Sequence, residues 1–464
     1  MRKLPPEHLA EARSTAFVAR ASSDRNTHSQ RAIVLVPAPR YPARPVVGEG
    51  GRANPSLTAA ERLDEAVGLA KAIGLDVAVA AIAPFGRIRP ATLLGAGKVE
   101  EIKGIVLAEG AGLVIVDHVL SPIQQRNLEK AWNAKVLDRT GLILEIFGDR
   151  AHTKEGRLQV ELAHLTYQKS RLVRSWTHLE RQRGGFGFLG GPGETQIEAD
   201  RRMIAERIDS IREELEGVTR MRRLHRKQRK ANLQPVVALV GYTNAGKSTL
   251  FNALTGAGKL AQDMLFATLD PTMRRVSFPG GGSFILSDTV GFISDLPPQL
   301  IAAFRATLEE IVEADLVLHV RDIASSSSDV QKADVEAVLA ELGLETVNAN
   351  GHIIEVWNKI DLVTDEKVAR LHNLASRAVP PAIVLSARTG EGVDALIVAI
   401  REALQADFPV REVVCDDANG PLIHWLYENA EILDRQDQHD GSLRFVVRLA
   451  PQKASHLEKR MAGR

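Results

Sequence analysis

The sequence predicts an α/β fold in four parts: a small N-terminal α/β domain, a long coiled-coil-like helical hairpin, a larger domain with a mostly parallel sheet, and a small C-terminal α/β module. Three observations support this prediction. A glycine-rich loop at residues 241–248 lies between an apolar strand and a helix. Apolar strands alternate with helical segments from about residue 54. Isoleucines recur in steps of four and three from Ile204 to Ile211, which is typical of a coiled-coil seam.

The glycine-rich loop has the phosphate-binding pattern G-x-x-x-x-G-K-[ST]. It follows the apolar run 236–240 and leads into a predicted helix at 249–254. Glycines let the backbone N–H groups turn inward, and the helix adds its positive N-terminal end. We expect phosphate contacts from Gly241, Tyr242, Thr243, Asn244, Ala245, Gly246, Lys247, Ser248 and Thr249. Lys247 would reach the β- and γ-phosphates, and Ser248 would ligate magnesium.

Three further motifs follow predicted strands in the order that a nucleotide site requires. Asp288-Thr289-Val290-Gly291 is a D-x-x-G, in which Asp288 would hold magnesium and the Gly291 N–H would face the γ-phosphate. Asn358-Lys359-Ile360-Asp361 is an N-K-x-D. A D-x-x-G alone is often only a turn, and an N-K-x-D alone is often only a helix cap. Together, at the carboxyl ends of strands, they predict a binding site. We expect the base to be held by Asn358, Lys359, Asp361, Ser386 and Ala387.

The N-K-x-D motif identifies the base. The Asp361 carboxylate can accept hydrogen bonds from guanine N1–H and from the 2-amino group. Adenine offers neither donor, and such a mismatch can discriminate by roughly four to five powers of ten. Residues 233–410 are therefore predicted to form a GTPase domain.

The residue after the D-x-x-G is Phe292, where many GTPases have a glutamine that orients water. Unaided turnover should then be slow, so acceleration must come from a partner surface, a cation or another segment. Asn244 suggests a potassium ion beside the phosphates, although a loop-stabilising asparagine is an equal alternative. We expect Thr268 to close over magnesium, with Thr272 as second choice. The predicted catalytic residues are Lys247, Thr268 and Gly291.

Composition limits the remaining possibilities. The chain has 464 residues and a formal net charge of +1, so nucleic-acid affinity must be local. Cys415 is the single cysteine, which excludes internal disulfides and cysteine-cluster zinc sites. No apolar run reaches the length of a membrane span, and the N-terminus has no signal-type core. We expect a cytoplasmic monomer, with peripheral membrane association as an alternative. Residues 1–45 are interpreted as a flexible tail.

Residues 46–154 are predicted to form the N-terminal α/β domain. Thr58 and Glu61 match a capping box, and strands are expected at 76–80, 113–117 and 135–138. Gly95-Ala96-Gly97-Lys98 is either a simple turn or a phosphate contact. Residues 411–464 should form the C-terminal module, with a strand, a helix near 421–429 and a β-hairpin.

Residues 155–232 are predicted to form the helical hairpin. Its connection is rich in glycine, with phenylalanine and flanking arginine, which suits stacking on bases and contact with phosphates. A hairpin without a ligand is the alternative at the tip, and a solvated helix face is the alternative for the basic run at 220–230. The possible RNA contacts are Arg181, Arg183, Gly184, Gly185, Phe186, Gly187, Phe188, Arg223, Arg226 and Lys227.

Several motifs together resemble the HflX family of GTPases. They are Gly191-Pro192-Gly193-Glu194-Thr195-Gln196 after the Gly-Gly-Phe-Gly tip, then Asp200-Arg201-Arg202, with Asp138-Arg139-Thr140 and residues 155–162 upstream. The resemblance runs from about residue 54 to beyond 400. It implies a GTPase that binds the large ribosomal subunit or the whole ribosome, is stimulated by it, and separates the subunits of stalled particles under stress. The hairpin tip would reach toward the peptidyl-transferase region.

Two other functions remain open on the sequence. One is an assembly or RNA-remodelling factor that also uses ATP in its N-terminal domain, through Gly95, Gly97 and Lys98. The other is a GTPase switch for a membrane or protease partner, which would need neither the hairpin tip nor the basic run.

Overall fold

The computed structural model describes residues 31–40, 57–182, 196–231, 234–256, 265–266, 269, 272–279, 282–294, 297, 300, 308, 310–341, 353–406, 408–416, 419–438, 442–449, 453–454, 457–458 and 461. Side chains are described at these positions apart from 172–182, 196–197 and 222–231. The chain forms two compact units. One comprises Met1–Ala151 and Val160–Ile211, and the other comprises His152–Gln159 and Arg212–Arg464.

The first unit contains a four-stranded parallel sheet with the strand order β2-β1-β3-β4. Its strands are β1 (Arg31–Pro39), β2 (Asp76–Phe85), β3 (Leu113–Val116) and β4 (Lys135–Asp138). Its helices are α1 (Ala59–Ala72), α2 (Ala96–Glu109), α3 (Pro122–Trp132) and α4 (Arg139–Arg150). The predicted capping box is present, since the Thr58 side chain accepts from Glu61 N–H while the Glu61 carboxylate accepts from Thr58 N–H.

Strand β1 corrects the sequence analysis, which assigned residues 1–45 to a flexible tail. Residues 32–36 are fully buried between β2 and β3, so the domain does not begin at residue 46. The physical reason is that a parallel strand covered on both faces has a continuous apolar run and no alternation. The run is short and is followed by proline and arginine, which gave it the appearance of irregular chain.

Asp138 organises the carboxyl edge of this sheet. Its fully buried carboxylate caps α4 by accepting from Gly141 N–H at 2.8 Å. It also accepts from the Tyr167 hydroxyl at 2.6 Å and from Arg171 Nη2 at 2.6 Å. A neighbouring buried pair joins Arg139 to Asp117 at 2.5 Å. These charges are hydrogen-bonded on several sides, as buried charges must be.

Helices α5 (Lys154–Gln182) and α6 (Gln196–Ala231) form the long helical segment. The predicted seam is partly realised, because Ile208 and Ile211 of α6 are buried. Arg207 of α6 also holds Glu161 of α5 through two hydrogen bonds of 2.8 and 3.0 Å. Tyr167 and Arg171, which reach Asp138, belong to α5, so this helix is joined to the sheet by buried polar contacts.

The second unit contains a six-stranded sheet of order β10-β9-β8-β5-β7-β6, parallel except for the β6–β7 pair. Its strands are β5 (Val236–Gly241), β6 (Thr272–Ser277), β7 (Ser283–Asp288), β8 (Leu316–Asp322), β9 (Ile353–Asn358) and β10 (Ala382–Val384). Helices are α7 (Lys247–Thr255), α8 (Ser328–Glu341), α9 (Asp365–Ala375) and α10 (Val393–Gln405). The prediction of an α/β fold with a mostly parallel sheet is confirmed.

The chain then forms a three-stranded antiparallel sheet of order β11-β13-β12. Its elements are β11 (Val410–Asp416), α11 (Gly420–Asn429), β12 (Glu431–Asp437) and β13 (Ser442–Arg448). The predicted helix and β-hairpin are both present. Phe445 and Leu426 lie in the buried cluster between sheet and helix.

Among the residues described, no helix combines the length and the apolar character needed to cross a membrane.

Candidate nucleotide-binding site

The phosphate-binding loop connects the end of β5 to the start of α7, as the sequence predicts. Gly241 and Gly246 have positive φ angles of 151° and 95°, and Asn244 adopts the left-handed region at 59°. A Cβ atom at Gly241 would lie 2.2 Å from the Val320 carbonyl oxygen. Glycine is therefore required both for the turn and for the close approach of β8.

Lys247 is buried beneath this loop. Its Nζ donates to the carbonyl oxygens of Gly241 at 3.0 Å and of Tyr242 at 2.8 Å. Burial lowers the pKa of the Lys247 ammonium to about 8, against the opposing effect of nearby Asp288. The ammonium is held at the first turn of α7, where a phosphate would meet both its charge and the helix terminus.

Ser248, in the first turn of α7, and Asp288, at the end of β7, converge. The Ser248 hydroxyl donates to Asp288 Oδ2 at 2.9 Å. A hydroxyl and a carboxylate at this separation are hard oxygen donors, and they fit the ligand preference of Mg²⁺. Thr268, the preferred third ligand, lies outside the described residues. Thr272, the second choice, begins β6 and is the register partner of Asp288.

Gly291 packs closely against the phosphate-binding loop. A Cβ at this position would come within 2.9 Å of Thr243 Cγ2 and 3.0 Å of Lys247 Nζ. The following residue, Phe292, is buried, and its backbone bonds to the loop at Gly241 and Thr243. The Phe292 side chain is therefore apolar and enclosed, and it has no group with which to orient water.

The predicted base-reading residues meet at the carboxyl ends of β9 and β10. Asn358 Nδ2 donates to the Ala245 carbonyl at 2.9 Å, and its Oδ1 accepts from Ala387 N–H at 2.9 Å. Asp361 Oδ1 accepts from the Ser386 hydroxyl at 2.7 Å. The structure thus brings both predicted motifs together beside the phosphate-binding loop.

Three residues near this site, Asp322, Ser294 and Asp334, were missed by the sequence analysis. Lys359 has φ of 69°, and its ammonium pairs with Asp322 at 2.8 Å. Asp322 ends β8, so a carboxylate at a strand's carboxyl end was the available signal. Ser294 contacts the Tyr242 hydroxyl and Asp334. No local motif contains these three residues.

A buried charged cluster lies between β8, β9 and α8. Glu355 accepts from Arg321 at 2.9 Å, from Lys332 at 2.5 Å and from the Trp357 indole at 2.7 Å. Burial raises the pKa of Glu355, but these donors outweigh it and bring the value to about 2. His319 is also buried, which lowers its pKa to about 4 despite the attraction of Glu355.

Other predicted contact residues belong to other segments of the chain. Gly95 precedes α2, and Lys98 within the helix pairs with Glu101 at 2.7 Å, so this segment is the start of a helix rather than a simple turn. Residues 183–195, including the hairpin tip, lie outside the described part of the chain. Arg181 belongs to α5, and Arg223, Arg226 and Lys227 belong to α6, but their side chains also lie outside it.

Four family models match successive parts of the chain. Their descriptions are GTP-binding GTPase N-terminal for residues 60–148, GTP-binding GTPase Middle Region for 150–229, 50S ribosome-binding GTPase for 236–359 and HflX C-terminal domain for 373–464. A GTPase HflX from Magnetococcus marinus is 48% identical over 85% of this chain and 90% of its own length. The chain belongs to the HflX GTPase family. The Escherichia coli GTPase HflX is 45% identical over 78% of this chain and 83% of its own.

Membership of the HflX family confirms the resemblance seen in the sequence. It also confirms that the protein binds and hydrolyses GTP, in agreement with the phosphate and guanine motifs. A crystal structure of a GTP-binding protein from Sulfolobus solfataricus in complex with GDP covers 81% of this chain and 99% of its own, at 23% identity and a TM-score of 0.42.

Proposed function

We propose that this HflX-family GTPase binds the large ribosomal subunit or the whole ribosome, which stimulates its hydrolysis of GTP, and that it splits or recycles stalled ribosomes. The observation that carries the proposal is the burial of Phe292 where a water-orienting residue would stand. The family description of residues 236–359, a 50S ribosome-binding GTPase, names the partner class that would supply the activation. We also propose that the protein is cytoplasmic and monomeric.

Within the GTP site, each side chain has a role that its position supports. Lys247 would hold the β- and γ-phosphates, and the Gly291 N–H would meet the γ-phosphate. Asp361 would accept from the guanine base, with Asn358 and Lys359 framing it. Because Asn358 is already bonded to Ala245 and Ala387, it would position the site rather than read the base.

Magnesium fits the donor set formed by Ser248 and Asp288, with Thr268 as the expected third protein ligand. When bound, the ion would neutralise charge on the β- and γ-phosphates. A potassium ion beside Asn244 is a separate proposal. It is supported by the asparagine at this position of the phosphate-binding loop and by the need for an activating group that Phe292 creates.

The hairpin is proposed to carry the contact with ribosomal RNA. Its helices α5 and α6 are joined at Glu161 and Arg207 and provide a stem for the glycine-rich connection. Arg181, Arg183, Phe186 and Phe188 would stack on bases and neutralise phosphates at the tip. Arg223, Arg226 and Lys227 would add backbone contacts farther along α6.

The test is GTP hydrolysis with and without purified large subunits, in potassium buffer and then in sodium buffer. We expect a large rise with subunits, with part of it dependent on potassium. No rise in either salt would contradict ribosome activation. A rise of equal size in both salts would support activation by the ribosome and contradict a role for potassium.

A second measurement separates splitting from simple binding. Light scattering of whole ribosomes should fall when the protein and GTP are added. A variant lacking residues 184–193 should hydrolyse GTP slowly, as the intact protein does alone, but should leave the scattering unchanged. Normal splitting by this variant would show that the tip is only structural. Hydrolysis activated by subunits without any splitting would favour a role in subunit maturation.

A further inference from the structure

The segment after the D-x-x-G is attached to the phosphate-binding loop by its backbone. Thr243 N–H donates to the Phe292 carbonyl at 2.7 Å, and Phe292 N–H donates to the Gly241 carbonyl at 3.1 Å. Both peptide groups of Phe292 are therefore used. Gly291, the residue expected to face the γ-phosphate, lies directly before this attachment, so its position depends on how firmly the segment is held.

Side chains complete the attachment two residues farther on, at Ser294. Ser294 N–H donates to the Tyr242 hydroxyl oxygen at 2.9 Å, and the two hydroxyl oxygens are 2.8 Å apart. The Ser294 hydroxyl is 2.5 Å from Asp334 Oδ2. All three residues are at least partly buried, and Tyr242 is 5% exposed.

The chemistry of these groups determines the direction of each hydrogen bond. An ionised carboxylate can only accept, so the single Ser294 hydroxyl proton is directed to Asp334. The Ser294 oxygen must then accept from Tyr242 O–H. The result is a one-way chain from Tyr242 to Ser294 to Asp334, closed by the Ser294 N–H. Its last member is a charge-assisted bond of the short kind expected for a hydroxyl on a carboxylate.

The far end of this chain is firmly held. Asp334 lies on α8, and Lys332 on the same helix bonds to the buried Glu355 of β9 at 2.5 Å. Asp329 at the start of α8 bonds to the buried Arg321 of β8 at 2.6 Å. Helix α8 is thus attached to two strands of the central sheet, and Asp334 is a fixed anchor.

We propose that Tyr242, Ser294 and Asp334 form a latch that positions Gly291 for GTP hydrolysis. None of the three side chains needs to touch the reacting atoms, so they are positioning residues. Holding the D-x-x-G segment against the loop removes freedom that would otherwise have to be lost in the transition state. GDP has no γ-phosphate for Gly291 to meet. The latch should therefore affect GTP hydrolysis and GTP binding more than GDP binding. The inference rests on the γ-phosphate role proposed for Gly291.

The test uses hydrolysis by the full chain without ribosomes, so that its failure is distinct from a failure of ribosome activation. Tyr242→Phe removes only the hydroxyl, and Ser294→Ala breaks the chain at its centre. In each variant we expect kcat for GTP to fall about 3- to 10-fold, the range for losing one such hydrogen bond. The Kd for GDP should change less than about twofold. The matched control is Tyr427→Phe, because that hydroxyl contacts Arg435 in the C-terminal sheet.

A double-mutant cycle between Tyr242→Phe and Asp334→Asn provides the second readout. The two positions act through Ser294, so their effects on kcat should not multiply. Measurements well below each variant's unfolding temperature keep the protein folded. Unchanged kcat in both single variants would overturn the latch. If the variants bind GDP and a non-hydrolysable GTP analogue more weakly by the same factor, while kcat at saturating GTP is preserved, these residues have only a structural role.

Discussion

Asn358 Nδ2 donates a 2.9 Å hydrogen bond to the carbonyl oxygen of Ala245, so the first residue of the guanine motif also holds the phosphate-binding loop. The contact is close, since a Cβ at Gly246 would lie 2.2 Å from the same amide nitrogen. The Oδ1 atom of the same side chain accepts a hydrogen bond from Ala387 N–H. One side chain therefore joins the phosphate side and the base side of the GTP site.

We expect Asn358→Ala to weaken the binding of GTP and of GDP to a similar extent. The substitution leaves two buried backbone groups without their partner, at a cost of about 1–3 kcal/mol each. Both Kd values should rise about 30-fold or more. Equilibrium binding of fluorescent nucleotides measures this effect, and Asn373→Ala on the exposed face of α9 is the control. Affinities within twofold of the unmodified protein would contradict the bridging role.

Asp361→Asn should shift the base preference from guanine toward xanthine. The carboxylate accepts two donors from guanine, whereas an amide can donate to the 2-oxo group of xanthine. Loss of two charge-assisted bonds should raise the Kd for GTP about 100-fold or more. Competition between GTP and XTP measures the change, with the exposed Asp365→Asn as control. Unchanged GTP affinity would contradict base reading by Asp361.

Asp138→Ala should destabilise the N-terminal sheet strongly. The fully buried carboxylate accepts from Tyr167, Arg171 and the N–H groups of Gly141 and Leu120, and its removal leaves a guanidinium and three other donors without this partner. Breaking a buried ion pair on one side costs about 3–5 kcal/mol. Chemical denaturation followed by circular dichroism measures the loss.

The control for Asp138 is Glu161→Ala, which breaks the half-exposed pair with Arg207 on the helical segment. Exposed pairs contribute about 0–1 kcal/mol, so this variant should unfold almost as the unmodified protein does. Equal losses in the two variants would show that burial does not set the strength of these pairs.

The GTP site was predictable from sequence because each of its motifs is local. Gly241 to Ser248, Asp288 to Gly291 and Asn358 to Asp361 each carry their chemistry within a few residues, and each follows an apolar strand. The Tyr242–Ser294–Asp334 chain was not predictable, since its members are 40 or more residues apart and neither Ser294 nor Asp334 belongs to a motif. Only the folded sheet brings them together.

Strand β1 shows a different limit. Its buried run at 32–36 is as apolar as β3, but it lies between segments rich in arginine, serine and proline. Its central place depends on pairing with β2 and β3, which are distant in sequence. Local composition therefore favoured irregular chain, and long-range pairing decided the outcome.

His319 leads to a pH-dependent prediction. It lies in the middle of β8, between Val240 of β5 and Glu355 of β9 in the sheet register. Burial lowers its pKa to about 4, whereas an unfolded histidine titrates near 6.5. Between these values the unfolded chain binds more protons than the folded chain. The free energy of unfolding should therefore fall as pH decreases from about 6.5 to 4, by up to about 3 kcal/mol, with no further contribution from His319 below that.

Glu355 affects the free energy of unfolding at lower pH than His319 does. Its pKa of about 2 lies below the ordinary carboxylate value, so its contribution to stability is full above about pH 4.5 and is lost as pH falls toward 2. His319→Gln should then flatten the stability profile between pH 6.5 and 4 while leaving the decline below 4.5 that Glu355 causes. Denaturant unfolding at a series of pH values measures both, with the exposed His372→Gln on α9 as control. If His319→Gln retains the full slope between pH 6.5 and 4, the buried neutral histidine is not its source.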